Sequence, residues 1–164
     1  MRVIVKIGTS SLTSDSGEVK MSSLSKLVDE VVDARRAEHE VAALTSGAIT
    51  AGVQRLGISR PDEPELRQAI SAVGQIDPMR AYGDLFSAHG IATGQVLPAP
   101  HDFRDRDQYL HARTTFEHLL NLNVVPVVNE NDAVADDAIR YGDNDRIAAL
   151  VANLLRADLL VLLT

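Results

Sequence analysis

The chain has 164 residues, no cysteine and a formal net charge of −7 at pH 7. The acidic balance and the 4% aromatic content exclude a basic, base-stacking surface for nucleic acid, and the lack of cysteine excludes disulfides and thiolate metal sites. No apolar stretch approaches the length of a membrane span, so we expect a cytoplasmic protein without a membrane partner.

Five short apolar runs predict strands, and segments of helical period separate them. The predicted strands are Arg2 to Ile7, Val41 to Leu44, Ile91 to Leu97, Val124 to Val128 and Asp158 to Leu163. This alternation predicts an α/β fold, with a mostly parallel central sheet and helices on both faces in a three-layer α/β/α sandwich.

The intervening segments predict amphipathic helices. We expect Asp107 to cap the helix before the fourth strand, and a helix break near Asp77-Pro78, because proline suits the first turn of a helix. A loop of about fourteen residues, longer than usual connections, precedes the last helix. The buried helix faces should carry Leu24, Leu27, Val28, Val31, Val32, Ile49, Val53, Leu56, Ile70, Val73, Met79, Tyr82, Phe86, Tyr109, Ala112, Phe116, Leu119, Ile147, Leu150, Val151 and Leu154.

The last predicted strand is apolar throughout and is followed by Thr164 alone. Parallel strands are normally central and lead into a crossover connection. A truncated chain explains this ending better than a natural terminus, and a short natural protein is the alternative.

Two polar clusters flank the long loop. Asn129-Glu130-Asn131-Asp132 follows the fourth predicted strand, and Gly142-Asp143-Asn144-Asp145 precedes the last helix. Open α/β sheets hold small ligands where strands end and helices begin, although either cluster alone is better explained by ordinary turn and helix-cap chemistry. Two such clusters in series favour a ligand site.

Two strand-to-helix turns point to anion binding. Small residues at Gly8-Thr9-Ser10-Ser11 let backbone amides approach phosphate oxygens, and Ser46-Gly47-Ala48 opens a helix whose N-terminus favours a carboxylate. Asp145 in such a site needs a cation beside it. Lys6 is the candidate, because a central strand of this fold is usually apolar throughout. Motifs for a P-loop, a dinucleotide site, zinc or calcium are absent, so we predict no metal site.

In order and spacing, these motifs resemble the glutamate 5-kinases of the amino-acid kinase family. The segments that carry the resemblance are Val5 to Ser10, Thr45 to Ile49, Ala72 to Gln75, parts of Asp105 to Arg113, Val128 to Val134 and Gly142 to Asp145.

The resemblance implies ATP-dependent phosphorylation of the glutamate side-chain carboxylate to γ-glutamyl phosphate, the first step of proline biosynthesis. It further implies Mg²⁺ with the ATP, proline as a feedback inhibitor and a homo-oligomer. The catalytic residues that it implies are Lys6 and Asp145. The glutamate-binding residues are Ser46, Asp132 and Asn144. The ATP-binding residues are Lys6, Gly8, Thr9, Ser10 and Thr164.

The resemblance also implies a division of the full protein. Residues 1–164 would be the N-terminal, amino-acid-binding part of an amino-acid kinase domain. The rest of the ATP site and any C-terminal RNA-modification-type domain would lie outside them, so we expect this chain alone to be inactive. Two alternatives stay open, the kinase portion of a bifunctional pyrroline-5-carboxylate synthase and a non-catalytic short form that binds glutamate or proline.

Overall fold

The structure, a computed structural model, describes residues 1–14, 18–134 and 144–163. In these ranges one parallel sheet has the strand order β3-β4-β2-β1-β5. The strands are β1 (Arg2–Ile7), β2 (Glu40–Leu44), β3 (Thr93–Val96), β4 (Val125–Val128) and β5 (Leu159–Leu163). All five predicted strands are confirmed, with the third shortened at both ends.

The helices in the described ranges connect these strands. They are α1 (Thr9–Leu12), α2 (Met21–Arg36), α3 (Ala48–Leu56), α4 (Pro64–Gly74), α5 (Ile76–Ala88), α6 (Arg106–Asn121), α7 (Asn144–Leu154) and a 3-10 helix over Pro100–Phe103. None of these helices combines the length and the apolar character that a membrane span needs.

Helices cover both faces of the sheet, as predicted. Alternate residues of β1 point to opposite faces, so Val3 and Ile7 join the core formed with α2 and α5. Ile4 instead packs with Phe116 of α6 and Val151 of α7. Lys6 shares the face of Ile4, and this parity directs its side chain toward α7.

The position of β1 also agrees with the prediction. It lies between β2 and β5, with Lys6 in register with Leu44 and Leu162. β5 forms one edge of the described sheet, and Leu159, Leu162 and Leu163 are 45%, 44% and 40% exposed.

The predicted buried face of α3 was wrong. Its buried residues are Ala48, Ala51 and Gly52, whereas Leu56 is 48% exposed. The reason is a close crossing with α4, where a Cβ atom on Gly52 would overlap the backbone of Ile70. Small residues face the neighbouring helix because larger ones would not fit, so the bulky residues turn outward.

Two helix boundaries also differ from the predictions. The cap of α6 is Asp105, whose carboxylate accepts hydrogen bonds from the Asp107 and Gln108 amides, so the assignment of the cap to Asp107 was wrong. The predicted break lies at Gln75, and Pro78 then falls in the first turn of α5, where proline is tolerated.

Candidate active site

Three neighbouring strands bring the polar residues of the chain to one edge of the sheet. Because β4, β2 and β1 are adjacent and parallel, their carboxyl ends lie side by side. Lys6 lies near the end of β1, Thr45-Ser46 follows β2, and Asn129-Glu130 follows β4. The first turn of α7 lies over the same edge.

Asn144, the first residue of α7, joins these strand ends. Its Nδ2 atom donates within 2.9 Å of the Thr45 carbonyl, 2.8 Å of Ser46 Oγ and 2.8 Å of Asn129 Oδ1. Its Oδ1 atom accepts from the Glu130 amide at 3.3 Å. Asn144 is buried, and its two N–H bonds are shared among three protein acceptors.

A further hydrogen bond extends this arrangement to the junction of α4 and α5. Asn129 donates from Nδ2 to Oε1 of Gln75. The side chains of Asn144, Asn129 and Gln75 therefore form a continuous relay of carboxamides, which we call the amide relay. All three residues are buried, so the relay fixes the relative positions of α7, β4 and the α4–α5 junction.

Lys6 and Asp145 form an ion pair beside the relay. Lys6 Nζ lies 2.6 Å from Asp145 Oδ1, and the two side chains are 7% and 33% exposed. A buried ammonium is costly without a compensating charge, and Asp145 supplies that charge from the first turn of α7. The structure thus joins the two residues that the sequence singled out as a catalytic pair.

The turn after β1 differs from the prediction. Thr9–Leu12 forms one helical turn, and the Gly8 amide donates to the Leu163 carbonyl at 2.8 Å, which extends the sheet. That amide is therefore engaged. The amides of Thr9 and Ser10 lie in the first turn of α1, whose N–H groups have no intrahelical acceptors.

The turn after β2 depends on Gly47. This residue has a φ of 94°, in the left-handed region, and a Cβ atom there would approach methyl groups of Thr9 and Thr13 at 3.3 Å. Gly47 thereby lets α3 begin directly after Ser46, close to α1. No side chain caps the N-terminus of α3, which agrees with the predicted anion site but does not test it.

A cavity of about 380 Å³ lies beside the relay. Its polar lining includes Gln75, Gln95, Glu130 and Asp132. Burial raises the pKa of Asp132 to about 6. Burial, and then the charge of Asp132, raise the pKa of Glu130, whereas Arg146 opposes that rise. Two carboxyl groups with raised pKa values favour a ligand that brings a positive charge.

The predicted site residues therefore fall into two groups. Ser46 and Asn144 contact each other beside the Lys6–Asp145 pair, whereas Asp132 lines the cavity. Within the described part of the chain, no hydrogen bond or ion pair joins Asp132 to either of the first two. Thr164 and the predicted Gly142-Asp143 lie outside the described residues.

Sequence reasoning assigned no role to three residues that the structure places here. Asn129 and Glu130 belonged to a recognised polar cluster, and Gln75 to a recognised motif, but the order of the strands was needed to connect them. For Gln75, the signal in the sequence that could have indicated a role was the presence of a glutamine at a helix break.

Metal binding was also tested against the geometry. Among the described residues, no group of three histidine, aspartate or glutamate side chains lies close enough to hold a metal ion. Asp145, in the first turn of α7, is paired with Lys6.

Comparison with known proteins places the chain in a family. A profile described as "Amino acid kinase family" matches residues 1–164. The chain belongs to the amino acid kinase family. A solved structure of UMP kinase from Ureaplasma parvum shares the fold of this family member, with a TM-score of 0.62, 13% identity, and coverage of 97% of this chain and 66% of that one. At that identity the likeness shows the fold alone.

Curated relatives are more similar in sequence. Glutamate 5-kinases from Chromobacterium violaceum and Laribacter hongkongensis are each 46% identical over 164 residues, and glutamate 5-kinase 2 from Bacillus subtilis is 45% identical. Each alignment covers 99% of this family member but 44% of the relative. The chain therefore spans less than half the length of these relatives.

Proposed function

We propose that this chain is the amino-acid-binding part of a glutamate 5-kinase, which transfers the γ-phosphoryl group of ATP to the side-chain carboxylate of glutamate. The observation that carries the proposal is the buried Lys6–Asp145 pair at the carboxyl edge of the sheet, in a chain 46% identical to curated glutamate 5-kinases. Those relatives favour a glutamate 5-kinase over the bifunctional synthase.

The reaction needs charge neutralisation more than covalent chemistry. A side-chain carboxylate is ionised at neutral pH, so its oxygen attacks the γ-phosphorus directly while the bond to the bridging oxygen of ADP breaks. Both reactants are anions, and catalysis then depends on positioning and on cations at the transferring group. Lys6 supplies such a cation, and Asp145 holds its ammonium in place.

ATP enters this scheme as its magnesium complex, a substrate. Magnesium in kinases is usually held by phosphate oxygens with one or two carboxylates. We assign the phosphate contacts to Lys6 and to the first turn of α1, with Thr9 and Ser10, and Thr164 to the nucleotide segment. Because the Gly8 amide already donates to the Leu163 carbonyl, we assign Gly8 a role in forming the turn.

Glutamate would lie between the ion pair and the cavity. Asp132 provides a carboxylate for its ammonium group. Ser46 Oγ accepts from Asn144, so the hydroxyl hydrogen of Ser46 can donate to a substrate carboxylate. Because Nδ2 of Asn144 already serves three protein acceptors, we propose that this residue meets glutamate through Oδ1. From the similarity to curated glutamate 5-kinases we further propose proline as an inhibitor, a homo-oligomer and a cytoplasmic location.

The test is whether the protein forms γ-glutamyl phosphate, which hydroxylamine traps as a hydroxamate. Incubate MgATP, hydroxylamine and L-glutamate with the longest polypeptide that the reading frame encodes, and in parallel with this chain and with the Chromobacterium violaceum relative. Hydroxamate that forms with glutamate, and not with aspartate as acceptor, supports the proposal. Glutamate binding without hydroxamate from the longest polypeptide would indicate the non-catalytic alternative.

A further inference from the structure

Gln75 combines a fixed position with an unused hydrogen-bond donor. It lies between α4 and α5 and is 9% exposed. Its Oε1 atom accepts from Asn129. Its Nε2 atom is buried and has no hydrogen-bond partner in the described parts of the chain. Because a buried, unsatisfied donor costs free energy, it requires an explanation.

The orientation of this carboxamide follows from the backbone. The Thr45 carbonyl can only accept, so the atom of Asn144 that faces it must be Nδ2. The Glu130 amide can only donate, which makes the other atom of Asn144 an oxygen. Asn144 then donates to Asn129 Oδ1, and Asn129 donates to Gln75 Oε1. The remaining atom of Gln75 must therefore be the NH₂ donor.

This donor belongs to a residue that lines a cavity rich in acceptors. Gln75, Glu130 and Asp132 all line the cavity of about 380 Å³, whose volume lies within the usual range of small-molecule sites. Carboxylates favour an ammonium group, and an NH₂ donor favours a carboxylate. A ligand that carries both groups on one carbon, an α-amino acid, matches this lining.

We propose that Nε2 of Gln75 binds the α-carboxylate of the amino-acid substrate while Asp132 receives its ammonium group. This assignment deepens the proposed function and rests on it. The amide relay then does two things at once. It orients the NH₂ donor of a residue that lines the cavity, and it ties that donor to Asn144, the residue next to Asp145 of the catalytic pair.

The decisive variant is Gln75→Glu, which keeps an oxygen for Asn129 and replaces the donor with a carboxylate oxygen. Gln54→Glu is the matched control, because Gln54 is exposed on α3 and is not among the residues that line the cavity. It adds the same charge without touching the relay. Gln75→Met, which removes the donor without adding charge, is a second variant, and thermal melts monitor folding of all three.

The readout is the dissociation constant of L-glutamate, compared with that of 4-aminobutyrate, which lacks the α-carboxylate. We expect Gln75→Glu to weaken L-glutamate binding roughly 10–100-fold and to leave 4-aminobutyrate binding unchanged or tighter. Gln75→Met should weaken glutamate binding alone, and Gln54→Glu should change glutamate affinity less than threefold, roughly the effect of an exposed surface charge.

Three results would overturn the assignment. Equal losses for both ligands would show a structural role, equal losses in Gln75→Glu and Gln54→Glu would show a general charge effect, and unchanged glutamate affinity in both Gln75 variants would remove the contact. If the wild type binds another α-amino acid through Gln75 but not glutamate, the proposed substrate fails and the Gln75 contact stands. If it binds no α-amino acid, both fail.

Discussion

The ammonium of Lys6 and the carboxylate of Asp145 lie 2.6 Å apart, although the two residues are about 140 positions apart in the sequence. The pair connects the end of a central strand to the first turn of a helix. Surface ion pairs contribute only ~0–1 kcal/mol. A lysine that is 7% exposed is a different case, because removing either partner leaves an uncompensated charge.

We therefore expect Lys6→Met to lower turnover by on the order of 10²-fold. Asp145→Asn should lower it by a similar factor, and the double variant should lose less than the product of the two, because coupled residues are not additive. The measurement is kcat for γ-glutamyl hydroxamate in the longest polypeptide of the reading frame.

Arg36→Ala provides the control for this prediction. Arg36 pairs with Asp33 on the surface of α2, and both side chains are 70% exposed. Its loss should leave turnover unchanged. Near-normal turnover in Lys6→Met would remove Lys6 from the catalytic set.

The raised pKa of Asp132 predicts how glutamate binding depends on pH. Its carboxyl pKa is about 6, and an ammonium ligand favours the ionised form. Binding must then release a proton at lower pH, so the Kd of glutamate should rise about tenfold for each pH unit below about pH 6. Asp132→Asn should weaken binding at higher pH and flatten this dependence, apart from a smaller contribution of Glu130. A wild-type Kd that stays constant down to about pH 5 would contradict the assignment.

The same pKa shift predicts the opposite effect on stability. The folded pKa of Asp132 lies above its unfolded value of 3.8, so the folded state binds more protons between these values. Its cost of ionisation grows as pH rises and is complete above about pH 6. Asp132→Asn should therefore stabilise the unliganded protein at about pH 8, by at most ~3 kcal/mol, and not at about pH 4. Urea denaturation at both pH values measures this difference.

Asn144 should contribute to stability as well as to the site. Its side chain makes four hydrogen bonds to groups from two strand ends, and their loss in Asn144→Ala would leave buried polar groups unpaired. We expect the free energy of unfolding to fall by about 2–4 kcal/mol. Asn153→Ala, an exposed change on the same helix, should alter it by less than about 0.5 kcal/mol. Equal effects in urea denaturation would show that the Asn144 bonds are not coupled to folding.

How much of this arrangement could be predicted depended on the range of the interactions. The bounds of β1 and the buried face of α2 follow from local periodicity, and both were confirmed. The buried face of α3 did not follow from its own residues, because the close crossing with α4 decides it. The ion pair was predicted from a lysine in an unusual place and a carboxylate that needed a cation, whereas the amide relay depends on strand order, which no local pattern encodes.

The helix crossing can itself be tested with two alanines. A Cβ atom at Gly74 would overlap the carbonyl of Ala48, whereas one at Gly83 would meet only the Thr93 hydroxyl, at 3.8 Å. Gly74→Ala should lower the free energy of unfolding by on the order of 3 kcal/mol. Gly83→Ala should raise it by about 0.5–1 kcal/mol, because alanine is the better helix former. A stable Gly74→Ala protein would show that α3 and α4 can separate without cost.

The phosphoryl acceptor is best identified by isotope transfer. Prepare L-glutamate with a heavy oxygen isotope in its side-chain carboxylate, incubate it with MgATP and the longest polypeptide of the reading frame, and collect the phosphate. When the amino group of γ-glutamyl phosphate attacks its own acyl carbon, the phosphate leaves with one oxygen from the carboxylate. We predict one labelled oxygen in each glutamate-dependent phosphate, and phosphate without label would contradict phosphorylation of the glutamate side chain.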